Sequence, residues 1–312
     1  MKQGEFELID RIRRSFSAPA GMTGIGDDCA VIPQSSDKDL LVSTDLLVEN
    51  VHFLLDKICA YDLGWKSAAV NISDIAAMGG LPVATFLSLA VPEDLDDEWM
   101  DGFMKGYSAV SDRFSVSLLG GDTTGSPDQL CINVAIIGEC ARGAAVLRGA
   151  ARPGDSICVT GNLGDSAAGL KCLLGNIDDF PGLVNAHCRP YPRVKEGLSL
   201  SETAGIGAMM DISDGVASDI RHIMSESKVG ARIDVSGLPL SSDLKAACGR
   251  FGWDPAELAL CGGEDYELLF TCRKGADIRI EHTVIGEIVE GSELIWEGRD
   301  AAGKDYRGFE HF

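Results

Sequence analysis

Aspartates recur in five short segments of this chain: Gly26-Asp27-Asp28, Ser43-Thr44-Asp45, Asn71-Ile72-Ser73-Asp74, Gly120-Gly121-Asp122-Thr123-Thr124 and Asp211-Ile212-Ser213-Asp214-Gly215. Most stand where an apolar run ends or a glycine turn begins, so folding can bring their side chains together. Two carboxylates about 4 Å apart repel by roughly 4 kcal/mol at an effective dielectric near 20. Several converging at once are tolerable only if protonated or bridged by cations. Oxygen-rich, histidine-free ligation suits Mg²⁺, which keeps some waters and takes phosphate oxygens as further ligands. The expectation is a metal-dependent site for a phosphorylated substrate. Taken singly, each aspartate has another reading, as a helix cap or a turn closure.

The surroundings sharpen this. Asn71 and Asp74 are three apart on a helix of small apolar residues and share a face. An aspartate in such a helix is seldom buried unless paired or metal-bound, and Gly79-Gly80 lets a backbone or ligand approach. Leu118-Leu119 runs into two glycines whose N–H groups suit phosphate oxygens, with Asp122 suited to a metal. Arg148 suits a phosphate in a cleft; its alternative is a surface arginine. Glu264, Asp265 and Glu267 follow a glycine pair, which suits a cationic or amine-bearing group. His52 lies shortly after Asp45 and is either a site residue or an ordinary loop histidine.

Several chemistries are excluded. The nearest P-loop match, 298–304, is followed by Asp305 where Ser or Thr is needed, and no G-x-G-x-x-G occurs. Residues 164–169 hold one residue too many for a nucleophile elbow. The 5 histidines form no H-E-x-x-H and the 10 cysteines no C-x-x-C, so the cysteines are expected to be reduced core residues.

The 312 residues suffice for two medium domains; 45% are hydrophobic, 24% charged, and the net charge is −21. That charge argues against nucleic acid or an anionic membrane as partner. It would also repel a bare phosphate, unless Mg²⁺ reverses the local sign. With no signal-like or bilayer-length apolar segment, a soluble, cytoplasmic protein is expected.

The elements that must position these residues follow from periodicity. Helices are expected over 5–16, 61–78, 95–114, 165–174, 192–204, 215–227 and 242–251. Strands are expected over 29–33, 40–42, 84–91, 116–119, 130–137, 156–160, 232–235, 267–272 and 284–288. A Gly/Arg/Pro cluster over 143–154 separates two α/β halves, 1–143 and 144–312. Strands and helices do not alternate strictly, so the sheets are expected to be mixed, of α+β type.

Taken in order, these segments resemble the thiamine-monophosphate kinase family, in the superfamily of aminoimidazole ribonucleotide synthetase and selenophosphate synthetase. The likeness is carried by Gly4-Glu5-Phe6 with Leu8-Ile9, 24–30, 43–45 with Val51-His52-Phe53, 66–79, 120–124, 148–155, 160–169, 211–214, 262–267 and the tail 306–312, nearly the whole chain. It implies ATP-dependent phosphorylation of thiamine monophosphate to thiamine diphosphate by direct γ-phosphoryl transfer. The implied fold has an N-terminal ATP- and Mg²⁺-binding domain and a C-terminal domain completing the site, with the N-terminal sheets of a homodimer forming a barrel. Carried over, Asp28, Ser43, Thr44, Asp45, Asp74, Asp122, Asp211 and Asp214 would bind several Mg²⁺ ions. Gly121, Asp122, Arg148 and Ser213 would contact ATP, and His52, Glu264 and Tyr306 would hold the thiamine moiety. No protein nucleophile is implied: the acceptor is already an ionised phosphate. The competing readings are an aminoimidazole ribonucleotide-type synthetase, a selenophosphate-type synthetase, whose reactive cysteine nothing before Gly24 supplies, or a non-catalytic cation-binding protein.

Overall fold

The computed structural model describes residues 19–298 and 306–308, with Ile9 and Arg13, both helical; the rest of the expected helix 5–16 lies outside the described residues.

The first sheet holds β1 (Ala30–Pro33), β2 (Lys38–Val48), β3 (Leu81–Pro92), β4 (Ser117–Ser126) and β5 (Cys131–Ala141) in the order β1-β2-β5-β3-β4. Its pairs are antiparallel except the parallel β3–β4 edge. Alternation gives it one buried face, where Leu41, Leu47, Leu87, Ile132, Val134 and Ile136 pack under helices. The other side and the β4 edge leave Leu46, Phe86 and Leu119 exposed, Leu119 by 66%.

Two helices cover the buried face, α1 (Ala60–Ala77) and α2 (Asp97–Phe114). They cross closely because glycines leave room: a Cβ at Gly64 would meet the Phe103 carbonyl at 1.9 Å, and one at Gly106 the Tyr61 carbonyl at 1.8 Å. The acidic run before α2 caps it, Asp96 accepting the Trp99 N–H at 2.8 Å. Apolar on almost every side, α1 is buried between the first sheet and the second half of the chain.

That second half begins with a single 3₁₀ turn at Arg148–Ala150, followed by β6 (Ser156–Val159), α3 (Asp165–Gly175), α4 (Pro181–Cys188), α5 (Val194–Ser201), β7 (Ile206–Asp211), α6 (Val216–Ser227), β8 (Gly230–Asp234), α7 (Ser242–Phe251), α8 (Pro255–Cys261), β9 (Leu268–Cys272), β10 (Thr283–Val289) and β11 (Leu294–Glu297). Its sheet runs β11-β8-β10-β6-β9-β7, parallel only at β11–β8. Both sheets are mixed, as expected.

Four corrections concern elements. β2 and β4 run through Ser43-Thr44-Asp45 and Gly120–Thr124, which therefore lie inside strands rather than at strand ends. The short strands β7 and β11 and the short helices α4 and α8 had no expectation. α4 and α8 each begin on a proline, a local break that also suits the first helical position. The expected helix 192–204 is shorter, Val194–Ser201. The cysteines are all unbonded, six of them buried. Among the described residues no helix is long and apolar enough to cross a membrane.

Candidate active site

Lys66, Val70 and Asp74 recur every fourth residue on α1 and so line one face of it. At its C-terminal end Asp74 meets Asp28, from the loop before β1, and Asp211, at the end of β7; one oxygen from each lies within 4.8 Å of the others. Ser43 and Asp45 join them from β2, since odd-numbered residues of that strand face α1. Ser43 Oγ donates to Asp74 Oδ2 and Ser73 Oγ to Asp211 Oδ2, both at 2.5 Å. Arg148 forks onto Asp28, Nη2 at 2.7 Å and Nε at 3.2 Å, while its backbone N–H donates to Asp27 at 2.7 Å.

The electrostatics are those of crowded acids. Burial, then Asp28, raises Asp45 to about 6 and Asp211 to about 8. Burial and the charges of Asp45 and Asp211 push Asp74 well above the carboxylate range. Asp219, one turn into α6, is 1% exposed, and among the described residues neither of its oxygens has a hydrogen-bond partner; burial, then Asp214, raises it strongly. Buried carboxylates this close favour protonation or a cation, and the all-oxygen donor set fits Mg²⁺. The Cys29 thiol donates to the Asp74 carbonyl at 3.5 Å, and burial, then Asp74, keeps it protonated.

The acids line a hollow of about 240 Å³ that shares Asp45, Val70, Ser213 and Tyr266 with a larger cavity of about 530 Å³. The larger cavity is mostly apolar, with His52, Asp214 and Glu264 on its wall. His52 Nδ1 accepts the Val48 N–H at 2.9 Å, which places the proton of the neutral ring on Nε2. Glu264 and Tyr266 are held with left-handed φ of 55° and 50°. Gly263 makes the turn possible: at φ 68° its Cβ would lie 2.5 Å from the Ser213 carbonyl. The Glu264 N–H donates to that same carbonyl at 2.7 Å, tying the two loops together.

Asp28, Ser43, Asp45, Asp74, Arg148, Asp211 and Ser213 thus converge, with His52, Asp214 and Glu264 alongside. Four expected residues do not. Thr44 points to the opposite sheet face, where its hydroxyl donates to the Val134 carbonyl and accepts from Asn133. Gly121 pairs across β3 and β5 with Asp45 (Asp45↔Val134, Val134↔Leu87, Leu87↔Gly121), three strand spacings or about 14 Å away. Asp122 shares the outer face with Leu46, Asn133 and Ser88. Tyr306 is 4% exposed and packs edge-on against Trp296 at 5.1 Å. Of Glu264, Asp265 and Glu267, Glu264 alone faces the cavity. Asp265 accepts the Gly164 and Ser166 N–H groups at the start of α3, and Glu267 pairs with Arg193 and Thr160.

Two further residues escaped the sequence reading. Lys66 is 1% exposed with Nζ 2.8 Å from Glu264 Oε1, and His187 Nδ1 is 3.4 Å from Oε2. Lys66, like Asp74, is a charge in a helix of small apolar residues, and its burial demands a partner in the same way.

The sequence matches the AIR synthase related protein N-terminal domain over residues 26–140 and the corresponding C-terminal domain over 152–297. It is 40% identical to a thiamine-monophosphate kinase of Salmonella typhimurium, covering 100% of this chain and 99% of that one. It is 38% identical to a thiamine-monophosphate kinase of Aquifex aeolicus, covering 99% and 98%. Among solved structures, AaThiL complexed with AMPPCP and TMP superposes with a TM-score of 0.91 at 37% identity, covering 100% of this chain and 99% of that one.

Proposed function

This chain belongs to the thiamine-monophosphate kinase family of AIR synthase related proteins, and we propose that it transfers the γ-phosphoryl group of ATP directly to thiamine monophosphate, giving thiamine diphosphate and ADP. The observation that carries this reading is the opening of the acid-lined hollow into an apolar cavity with Glu264 on its wall. A phosphate ester with a cationic ring fits such a pair of compartments: phosphate toward the carboxylates, rings among Phe53, Leu54 and Ile58. The bound relative supports the choice of both substrates, since AMPPCP is an ATP analogue.

Asp28, Asp74 and Asp211 would hold Mg²⁺, with Ser43, Asp45 and Asp214 beside them and Thr44 able to reach it only through its backbone. Bound there, the metal supplies charge neutralisation for two approaching polyanions. Ser43 and Ser73 each hold one carboxylate oxygen in place, orienting the other. The acceptor oxygen of the monophosphate, already ionised, forms the new P–O bond as the bond to the ADP oxygen breaks in line, so no side chain need take a proton. Arg148 turns from Asp28 to a nucleotide phosphate, and Ser213 lies where the compartments join. Glu264 stands on the cavity wall where the thiamine moiety would lie.

Gly121 and Asp122 find a role in a homodimer. The uncovered apolar face and the β4 edge are what an intersubunit barrel would bury. Asp122 on that face would then serve the site of the partner subunit. Residues 1–143 would form the ATP/Mg²⁺-binding domain and 144–312 the domain that completes the site. Tyr306 would act through packing beside α6.

The test is ADP release with thiamine monophosphate or thiamine, with and without Mg²⁺. Turnover is expected only with the monophosphate and metal together. Turnover of thiamine but not its phosphate overturns the substrate assignment; Mg²⁺ binding without ATP turnover favours a cation-binding protein.

A further inference from the structure

We propose that the buried Lys66–Glu264 pair reads the aminopyrimidine end of the substrate, and that Lys66 is the residue on which this selectivity turns. The inference rests on the thiamine-monophosphate reading of the same cavity and adds the determinant of its far end.

The shared face of α1 acts as a ruler. Lys66 and Asp74 are eight residues apart, about 12 Å along the axis, with Val70 between them on the walls of both compartments. A phosphate at the aspartates and a heterocycle at Lys66 are bridged by an extended phosphoethyl-thiazolium and its methylene link. Lys66 is 1% exposed, and its ammonium sits 2.8 Å from Glu264 Oε1 but off the hydrogen-bonding direction, leaving donors to spare. Glu264 keeps 29% of its side chain open to the cavity. The pair therefore sets a donor beside an acceptor. A 4-aminopyrimidine carries the complement, a ring nitrogen beside an exocyclic amine.

The surroundings fix this arrangement. His187 Nδ1 lies 3.4 Å from Glu264 Oε2 and 3.1 Å from Ser166 Oγ, and the Glu264 backbone is tied by its N–H to the Ser213 carbonyl at 2.7 Å. Burial alone would raise the Glu264 carboxyl, but the Lys66 charge outweighs it and the carboxyl stays below its ordinary value. Burial, then Lys66, lowers His187 to about 4, so the imidazole stays neutral and Lys66 alone answers the charge. No catalytic step needs this cluster, which lies about 12 Å along α1 from Asp74.

The experiment compares kcat/KM for thiamine monophosphate with that for its N-benzyl analogue, in which phenyl replaces aminopyrimidine while the thiazolium and phosphate remain. Wild type is expected to prefer the natural substrate roughly 100-fold or more. Lys66→Met is expected to narrow that preference about 10-fold or more, through the KM of the monophosphate and not that of ATP. An equal fall for both substrates, or an unchanged ratio, overturns the proposal. If Lys66→Met does not fold, Lys66→Met/Glu264→Gln, which leaves no buried charge unpaired, is measured instead; a retained preference there overturns it equally. Wild type that accepts both substrates alike defeats this inference alone, whereas wild type inactive on both defeats the parent reading.

Discussion

Raising the pH of the metal-free protein from about 5 to about 8 should lower its stability, and Mg²⁺ should offset that loss most at the alkaline end. Asp45 is raised from 3.8 to about 6 and Asp211 from 3.8 to about 8, burial and then Asp28 being the causes in both. A carboxyl whose pKa is higher folded than unfolded binds its proton more tightly in the native state. Its contribution is full below the unfolded value and is lost as pH climbs through the folded one. The window therefore opens near 4 and runs to about 6 for Asp45 and about 8 for Asp211. The Asp45 displacement alone corresponds to about 3 kcal/mol, and since both groups interact through Asp28 their contributions do not simply add. At about 2–4 °C per kcal/mol for a chain of this size, Tm should drop roughly 6–12 °C. Mg²⁺ at about 100 times its Kd returns about 2.7 kcal/mol, but only where protons do not compete for the carboxylates. Melting curves by circular dichroism, in EDTA and in Mg²⁺ across that range, measure both. A Mg²⁺-induced rise of equal size at every pH, or metal-free stability that increases toward pH 8, would refute the clustering of ionisable aspartates.

Asp74→Asn should reduce turnover roughly 10³-fold or more, while the metal-free Tm stays level or rises because one source of repulsion is gone; a protein that no longer folds would mean that Asp74 is structural. Leu119→Lys places a charge on the apolar β4 edge and should shift the mass by light scattering from twice 33.1 kDa to 33.1 kDa. If Asp122 of the partner subunit serves each site, activity falls with it; a variant that stays dimeric removes the barrel reading.

How much of the site was readable from the residues depended on parity. α1 was found nearly to the residue because small apolar side chains over three turns end at Gly79-Gly80, and Asp74 inherits its place from that helix. Asp45 and Thr44 are adjacent in sequence, yet one faces the acids and the other the opposite side of the sheet, because successive side chains of a strand alternate. Nothing local to Ser43-Thr44-Asp45 says which way the parity falls. It is set by pairing with Val134, some ninety residues on, whose side chain fills the core. Asp122 is the same problem one step further: among the described residues its strand pairs on one side only, so its surroundings depend on what covers that edge. Asp265 and Glu267 were grouped with Glu264 by proximity in sequence, but an intervening left-handed turn sends one to cap α3 and another to Arg193. Lys66 was missed for a different reason, since a cation in an acidic cluster's helix contradicts the expectation of anionic ligands. Only the three-dimensional arrangement gives it a partner, and with it a second recognition element at the far end of the same helix face.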